Sequence, residues 1–170
     1  KDMTKLGRTT PSIRAGLGNT INYKDFDFSF YFYGAFGNVK WRGDVGFAGQ
    51  LTAATPYNTY NTIKDVWSMQ NVNGKYPGIG TDATSSQQRS GSGSDFWYMK
   101  GDYIKLKNIT LGYSVPQSLL KGAFLHSLRL SIDAQNLLTL TNYFGFDPEL
   151  NGTNPYPQAY SFTFSVKASF

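Results

Sequence analysis

Residues 160–170 read YSFTFSVKASF. Every second position is apolar, and small or charged side chains fill the positions between. The apolar set is Tyr160, Phe162, Phe164, Val166, Ala168 and Phe170. Because successive side chains of a β-strand point to opposite sides, this period of two predicts a strand with one apolar and one polar face. The apolar face meets either a protein core or, in an outer-membrane barrel, the lipid. An aromatic residue in the last position favours the barrel, which carries girdles of aromatic side chains at both membrane interfaces.

Four earlier stretches repeat this alternation, at 12–22, 26–36, 108–115 and 128–138. In the second of them, phenylalanine stands at every other position from Phe26 to Phe32, with aspartate, serine and tyrosine between. Residues 103–107 are compatible with the start of the third stretch but alternate less regularly. We therefore predict about five strands, the first two joined by a short turn at 22–25.

The number of strands limits the architecture. A strand that crosses the outer membrane needs about 9 to 11 residues, and single-chain bacterial barrels have at least about 8 strands. About five strands in a chain of 170 residues cannot close such a barrel. An open sheet would also leave unpaired backbone groups in hydrocarbon, each costing several kcal/mol. We therefore predict an all-β fold that supplies about five strands to a larger antiparallel transmembrane barrel.

The connections between the predicted strands alternate between short and long. Residues 37–101 and 141–158 lack alternation and are rich in turn-forming residues. So long an irregular stretch is uncommon inside a compact soluble domain, whereas outer-membrane barrels have short periplasmic turns and longer extracellular loops. We therefore expect the loops to be extracellular and the C-terminus to be periplasmic. Hydrophobic residues at helical spacing predict a short helix between 57 and 69.

The composition suits β-structure at a lipid interface. Aromatic residues make up 16% of the chain, with 13 Phe and 12 Tyr, and charged residues make up only 16%. Since no run of about 18 apolar residues occurs, no membrane-spanning helix is predicted. The net charge of +5 comes from scattered Lys and Arg, which argues against nucleic-acid binding. The lack of cysteine excludes a disulfide framework, and the first residues lack the apolar region of a signal peptide.

The sequence contains no recognisable catalytic or metal-binding constellation. The single histidine, His126, has no cysteine or carboxylate near it in sequence, so we interpret it as a polar turn residue. Asp147 and Glu149 flank Pro148, and a rigid loop is favoured over calcium binding or acid–base catalysis there. We therefore predict neither an enzyme nor a bound cofactor or metal.

Aromatic side chains in the long loops are the candidate ligand contacts. Aromatic rings stack on sugars and on peptide side chains, and they are common at recognition surfaces. If this chain contacts a substrate, we expect Trp41, Trp67 and Trp97 to make the contact. The alternative is that these residues pack the loops against one another or against a protein partner.

Several motifs resemble, in order and spacing, the C-terminal part of the SusC/RagA family of TonB-dependent outer-membrane transporters. They are Leu6-Gly7 followed by Pro11, the runs YKDFDFSFYFYGAFGN, DYIKLKNITLGYSVP and SLRLSIDAQNLLTLTNYFGFDPE, and a terminal strand that ends in Phe. On this resemblance, residues 1–170 are the C-terminal segment of such a receptor barrel. Residues 37–101 are then a long extracellular loop, and the plug domain is absent from this chain.

The resemblance implies a barrel of about 22 strands that surrounds a plug, is covered by a SusD-like surface lipoprotein and is energised by TonB. Such a transporter imports large nutrients, usually oligosaccharides or peptides. The expected partners of this segment are the remaining barrel and plug, the lipoprotein and outer-membrane lipid. The resemblance also implies that the terminal strand, with Tyr160, Phe162, Phe164, Val166 and Phe170, is the signal that the barrel-assembly machinery reads by strand addition.

A second interpretation is a soluble or surface-attached β-sandwich that binds carbohydrate through its aromatic loops. In a sandwich, the face carrying Phe26 to Phe36 must be buried against a second sheet in one protein core. In a barrel, the same face stays open to lipid. An enzyme is the least favoured class.

Overall fold

The computed structural model describes residues 3–41, 61–75, 95, 98–122, 124–150 and 156–170. The chain divides into two compact units. The first, the sheet unit, comprises Ser12–Phe36, Asp102–Thr141 and Gln158–Phe170. The second, the loop unit, comprises Lys1–Pro11, Gly37–Gly101 and Asn142–Pro157. In the part of the chain described, no helix combines the length and the apolar character that a membrane crossing requires.

Seven strands occur in the described residues. They are β1 (Ile13–Tyr23), β2 (Phe26–Phe36), β3 (Val39–Trp41), β4 (Tyr98–Lys100), β5 (Tyr103–Ser114), β6 (Ser127–Thr141) and β7 (Ser161–Ser169). The sheet unit is one antiparallel sheet in the order β1, β2, β5, β6, β7, while β3 and β4 form a separate pair. These five strands of the sheet confirm the predicted all-β, antiparallel fold. Where a short helix was predicted, the described part holds a 3-10 helix at Asn61–Asp65.

The short connections and the end of β7 lie together at one end of the sheet. A two-residue turn at 24–25 joins β1 to β2. Ser114, at the end of β5, donates its N–H to the carbonyl of Asp25 at 2.8 Å, and His126 donates its N–H to the carbonyl of Ser169 at 2.7 Å. In an antiparallel sheet the two longer connections must then leave from the opposite end, as the alternation of short and long connections predicts.

A β-bulge explains the irregular alternation at the start of β5. One extra residue, Lys107, lies between the register partners of Tyr31 and Phe32. A bulge shifts the alternation by one residue, so that one face of the strand carries odd-numbered residues on one side of the bulge and even-numbered residues on the other. As a result, the even-numbered Leu106 shares a face with the odd-numbered apolar residues of 109–113.

The register collects the apolar side chains of all five strands on one side of the sheet, the apolar face. Three rows cross the whole sheet: Tyr23, Phe26, Tyr113, Leu130 and Val166; then Ile21, Phe28, Leu111, Ile132 and Phe164; then Asn19, Phe30, Ile109, Ala134 and Phe162. Neighbouring rings touch, as in the Phe26 and Tyr113 pair with centroids 4.6 Å apart.

This apolar face is open. Ile21 is 53% exposed and Phe164 is 75% exposed, and the buried hydrophobic residues of the described part are only Ala35, Tyr103 and Ala134. Within the sheet unit, each strand makes its main contacts with its neighbours in the same sheet. Within the described residues of the sheet unit, these side chains are therefore not packed into a protein core. A sandwich requires that core, so the arrangement agrees with a barrel wall and not with a sandwich.

Candidate functional site on the polar face and in the loops

The opposite side of the sheet, the polar face, carries most of the polar side chains of the five strands. Three of its rows are Asn22, Asp27, Gly112, Ser131 and Ser165; then Thr20, Ser29, Thr110, Asp133 and Thr163; then Gly18, Tyr31, Asn108, Gln135 and Ser161. Hydroxyls, amides and charges dominate these rows. This face is suited to water or to polar ligands, as the interior of a membrane barrel is.

An ion pair crosses three strands on the polar face. The Arg129 guanidinium on β6 donates through Nη1 to Asp27 Oδ1 at 2.5 Å and through Nη2 to Asp27 Oδ2 at 2.7 Å. Between them, on β5, lies Gly112. A Cβ atom there would lie 2.5 Å from Arg129 Nη2 and 2.5 Å from Asp27 Oδ1. The missing side chain of Gly112 therefore opens the path that lets the two-bond pair, a strong and directional contact, span β5.

A second polar contact lies one row further along. Thr110 donates its hydroxyl hydrogen to Asp133 Oδ1 at 2.6 Å, and the Asn108 Oδ1 oxygen lies 3.3 Å from the same hydroxyl. These contacts hold the Asp133 carboxylate against β5. The acidic groups of this part of the polar face, Asp27 and Asp133, are thus both engaged by neighbouring strands.

Tyr31 covers two glycines of the neighbouring strand. Its hydroxyl would lie 2.7 Å from a Cβ atom on Gly16, and its ring would lie 3.2 Å from one on Gly18. Glycine at these positions therefore leaves room for the tyrosine ring to lie flat across β1 on the polar face. This is a close approach of side chain to backbone, for which glycine is the suitable residue.

Lys105 is a polar-face cation buried in the wall of the sheet. It is 2% exposed, its Nζ lies 3.5 Å from Gln158 Oε1, and it lies 6.0 Å from the centre of the Tyr103 ring. The long aliphatic stem of lysine allows such burial while its ammonium keeps polar neighbours.

The loop unit is built around the β3 and β4 pair. Lys40 of β3 is opposite Met99 of β4, and its ammonium donates to the carbonyl of Leu150 at 2.7 Å. The same ammonium lies 5.8 Å from the centre of the Tyr143 ring. One lysine thus ties the 142–150 segment to the strand that carries Trp41.

Two of the three predicted aromatic contacts lie among the described residues. Trp41 ends β3 opposite Tyr98 and is 37% exposed, and Trp67 follows the 3-10 helix and is 51% exposed. Trp97 lies outside the described residues. Phe144 and Phe146, which the sequence reasoning did not single out, are also exposed. Exposure in a loop of mixed composition has no periodic signal, so only the structure identifies them.

The terminal strand forms one edge of the sheet. β7 pairs only with β6 among the described residues. Tyr160, Phe162, Phe164, Val166 and Phe170 are all exposed. Its free edge presents backbone groups that another strand can pair with.

The remaining polar candidates make local backbone contacts. The backbone N–H of His126 is bonded at the end of β7, which agrees with a turn residue. Asp147 is buried, and its Oδ1 accepts the N–H of Glu149 at 2.9 Å, a local contact that stiffens the loop. Within the described ranges, no group of three or more His, Cys, Asp or Glu is placed to hold a metal ion.

Sequence comparison relates the chain to TonB-dependent receptors. No family model matches it. It is 29% identical to TonB-dependent receptor P3 of Formosa agariphila over 99% of this chain, and 32% identical to receptor P39 of the same organism over 88%. It is 26% identical to SusC of Bacteroides thetaiotaomicron over 91%. The chain spans only 17%, 14% and 15% of the lengths of these curated relatives.

Structural comparison gives the same result. The fold matches a chain of the RagAB peptide importer in its closed-closed state with a TM-score of 0.82 and 25% identity. The match covers 98% of this chain and 18% of that chain. All of these relatives are receptors or transporters, and none is named as an enzyme. The chain therefore belongs to the TonB-dependent outer-membrane receptors of the SusC/RagA type, and its sheet is a segment of their β-barrel that fits the C-terminal part.

Proposed function

We propose that this chain forms part of the wall of an active, TonB-dependent importer of large nutrients, either oligosaccharides or peptides. The observation that carries the proposal is the two-faced sheet. Its apolar face crosses all five strands and is not packed into a protein core within the described residues of the sheet unit, while its polar face holds the Asp27 and Arg129 pair. Lipid on one side and an aqueous interior on the other are the two surroundings that satisfy both faces.

The orientation follows from the connections. Short turns and the C-terminal end of β7 lie at one end of the sheet, and we assign that end to the periplasm. The long connections, including residues 37–101, are then extracellular, as in other outer-membrane barrels. There they can meet a nutrient or a surface protein before import.

The partners follow from the part of the receptor that this chain does not span. Both edges of the sheet need neighbouring strands, because unpaired backbone groups are costly in lipid. We assign these neighbours to the remaining barrel, and we assign the polar face to the plug inside it. A SusD-like lipoprotein over the loops and TonB below the plug complete the importer. The similarity to SusC and to RagAB supports these assignments.

Cargo recognition is assigned to the loop tryptophans. Replacing Trp41, Trp67 and Trp97 together by Ala in the full-length receptor should weaken nutrient binding at least tenfold, because each lost ring removes stacking area worth about 1 kcal/mol. Binding is measured by titration calorimetry with oligosaccharide and peptide mixtures. Replacing exposed Tyr156 by Ala is the matched control. Unchanged binding by the triple variant would refute a cargo role for these residues.

The terminal strand is assigned to assembly. Its aromatic residues and its free edge suit recognition by strand addition. Deleting Phe170 from the full-length receptor should therefore lower its abundance in outer-membrane fractions, measured by immunoblot. The control variant is Leu119→Ser, in the 3-10 helix Gln117–Leu119 between β5 and β6. Equal abundance of the two variants would argue against the assembly role.

A further inference from the structure

Two cations face each other across β6 and β7 on the polar face. Arg129 on β6 is the direct register partner of Lys167 on β7. Directly opposite side chains have their Cβ atoms about 4.5 to 5.5 Å apart, and like charges at such positions destabilise a sheet. The arrangement therefore needs a negative charge close by.

Asp27 provides a negative charge beside Arg129 but not beside Lys167. It occupies one N–H of each terminal nitrogen of Arg129, and the other donors of the guanidinium stay available. The Arg129 side chain is 40% exposed. Lys167 is exposed as well, and no described carboxylate pairs with it. Asp133, the next acid along the polar face, accepts a hydrogen bond from the Thr110 hydroxyl and adds a weaker attraction to Arg129.

Hydroxyl groups frame the two cations. One row towards the middle of the sheet, Ser131 is opposite Ser165, and one row towards its end, Ser127 is opposite Ser169. All four share the polar face with Arg129, because they stand two positions away from it or from Lys167. Serine hydroxyls donate hydrogen bonds, so this patch of β6 and β7 offers two positive charges and several donors, with no acceptor-only group between them.

We propose that the patch of Arg129, Lys167 and the four serines is an oxyanion-binding site on the inner wall of the barrel. A carboxylate or phosphate between the two cations would replace their repulsion by charge-assisted hydrogen bonds. Asp27 acts as a positioning residue, since it orients the guanidinium from the far side of Gly112. The position of this site on an inner wall rests on the proposed function of the sheet as part of a barrel.

Two sources can supply such a group: a carboxylate from the rest of the receptor, or an oxyanion brought from solution with the cargo. The test uses the purified full-length receptor in detergent. Its thermal unfolding midpoint is measured with and without inorganic phosphate at constant ionic strength, which keeps general screening the same. The variants are Lys167→Gln and Lys167→Glu. The matched control is Arg14→Gln, because Arg14 is a polar-face cation whose register partner is the uncharged Ala35.

If the site takes its anion from solution, phosphate raises the midpoint of the wild-type receptor and of Arg14→Gln. Lys167→Gln then loses this rise, and Lys167→Glu raises the phosphate-free midpoint by pairing with Arg129. If the receptor's own carboxylate fills the site, phosphate has no effect. Lys167→Gln then lowers the midpoint more than Arg14→Gln does, and Lys167→Glu lowers it further. A Lys167→Gln receptor that matches Arg14→Gln in midpoint and in phosphate response overturns the proposal.

Discussion

Phe164→Arg in the full-length receptor should remove most of the protein from the outer membrane. Phe164 stands midway along β7 on the apolar face, opposite Ile132, and is 75% exposed. An arginine on the lipid face of a barrel at mid-depth costs about 2 to 4 kcal/mol, a large fraction of the stability of most folds. The measurement is abundance in outer-membrane fractions, together with the shift in gel mobility between heated and unheated samples that folded barrels show.

The neighbouring residue provides the control. Thr163→Arg places the same side chain one position away but on the polar face, opposite Asp133. There the guanidinium meets water and a carboxylate, so abundance should stay near the wild-type level. Equal loss in both variants, or equal tolerance of both, would contradict the assignment of the two faces.

Gly112→Ala should lower the thermal unfolding midpoint of the receptor by weakening the pair between Asp27 and Arg129. The added Cβ would lie 2.5 Å from atoms of both side chains, closer than any stable contact. The ends of both side chains must shift to make room, which weakens the two-bond contact that joins β2 to β6. The comparison is Ser29→Ala, one row away on the polar face of β2, which should leave the midpoint almost unchanged.

A double-mutant cycle separates this mechanism from a simple cost of alanine on β5. Asp27→Ala already removes the ion pair. Adding Gly112→Ala to this variant should therefore lower the unfolding midpoint much less than it does in the wild type. Residues that share one contact show such non-additive effects. An equal fall in the unfolding midpoint in the presence and absence of Asp27 would show that glycine at 112 is required by the strand β5 and not by the ion pair.

The alternation of apolar and polar residues predicted the two faces of the sheet, because the side on which a residue lies depends only on its position along its own strand. All five strands were located in this way, including Phe26–Phe36 with the observed bounds. The start of β5 was less clear because the extra residue Lys107 reverses the parity. Strands β3 and β4 have three residues each, too few to show a period.

The contacts on the polar face could not be predicted in the same way. Asp27 and Arg129 are 102 residues apart, and their meeting depends on the register of three strands and on glycine at 112. The alternation within each strand predicted that both side chains lie on the polar face, but it did not predict that they contact each other. The loop contacts depend in the same way on long-range placement, as in the bond from Lys40 to the carbonyl of Leu150.

In the proposed barrel wall, one face of the sheet meets lipid and the other meets water. The most direct test introduces single cysteines at 162, 163, 164 and 165 of a cysteine-free full-length receptor in liposomes, since the native segment has no cysteine. Each is labelled with a small fluorophore and exposed to a lipid-phase nitroxide quencher and to a water-soluble one. We predict lipid-phase quenching at 162 and 164 and aqueous quenching at 163 and 165. Positions 162 and 164 that are shielded from both quenchers would place the apolar face in a protein core and contradict the account.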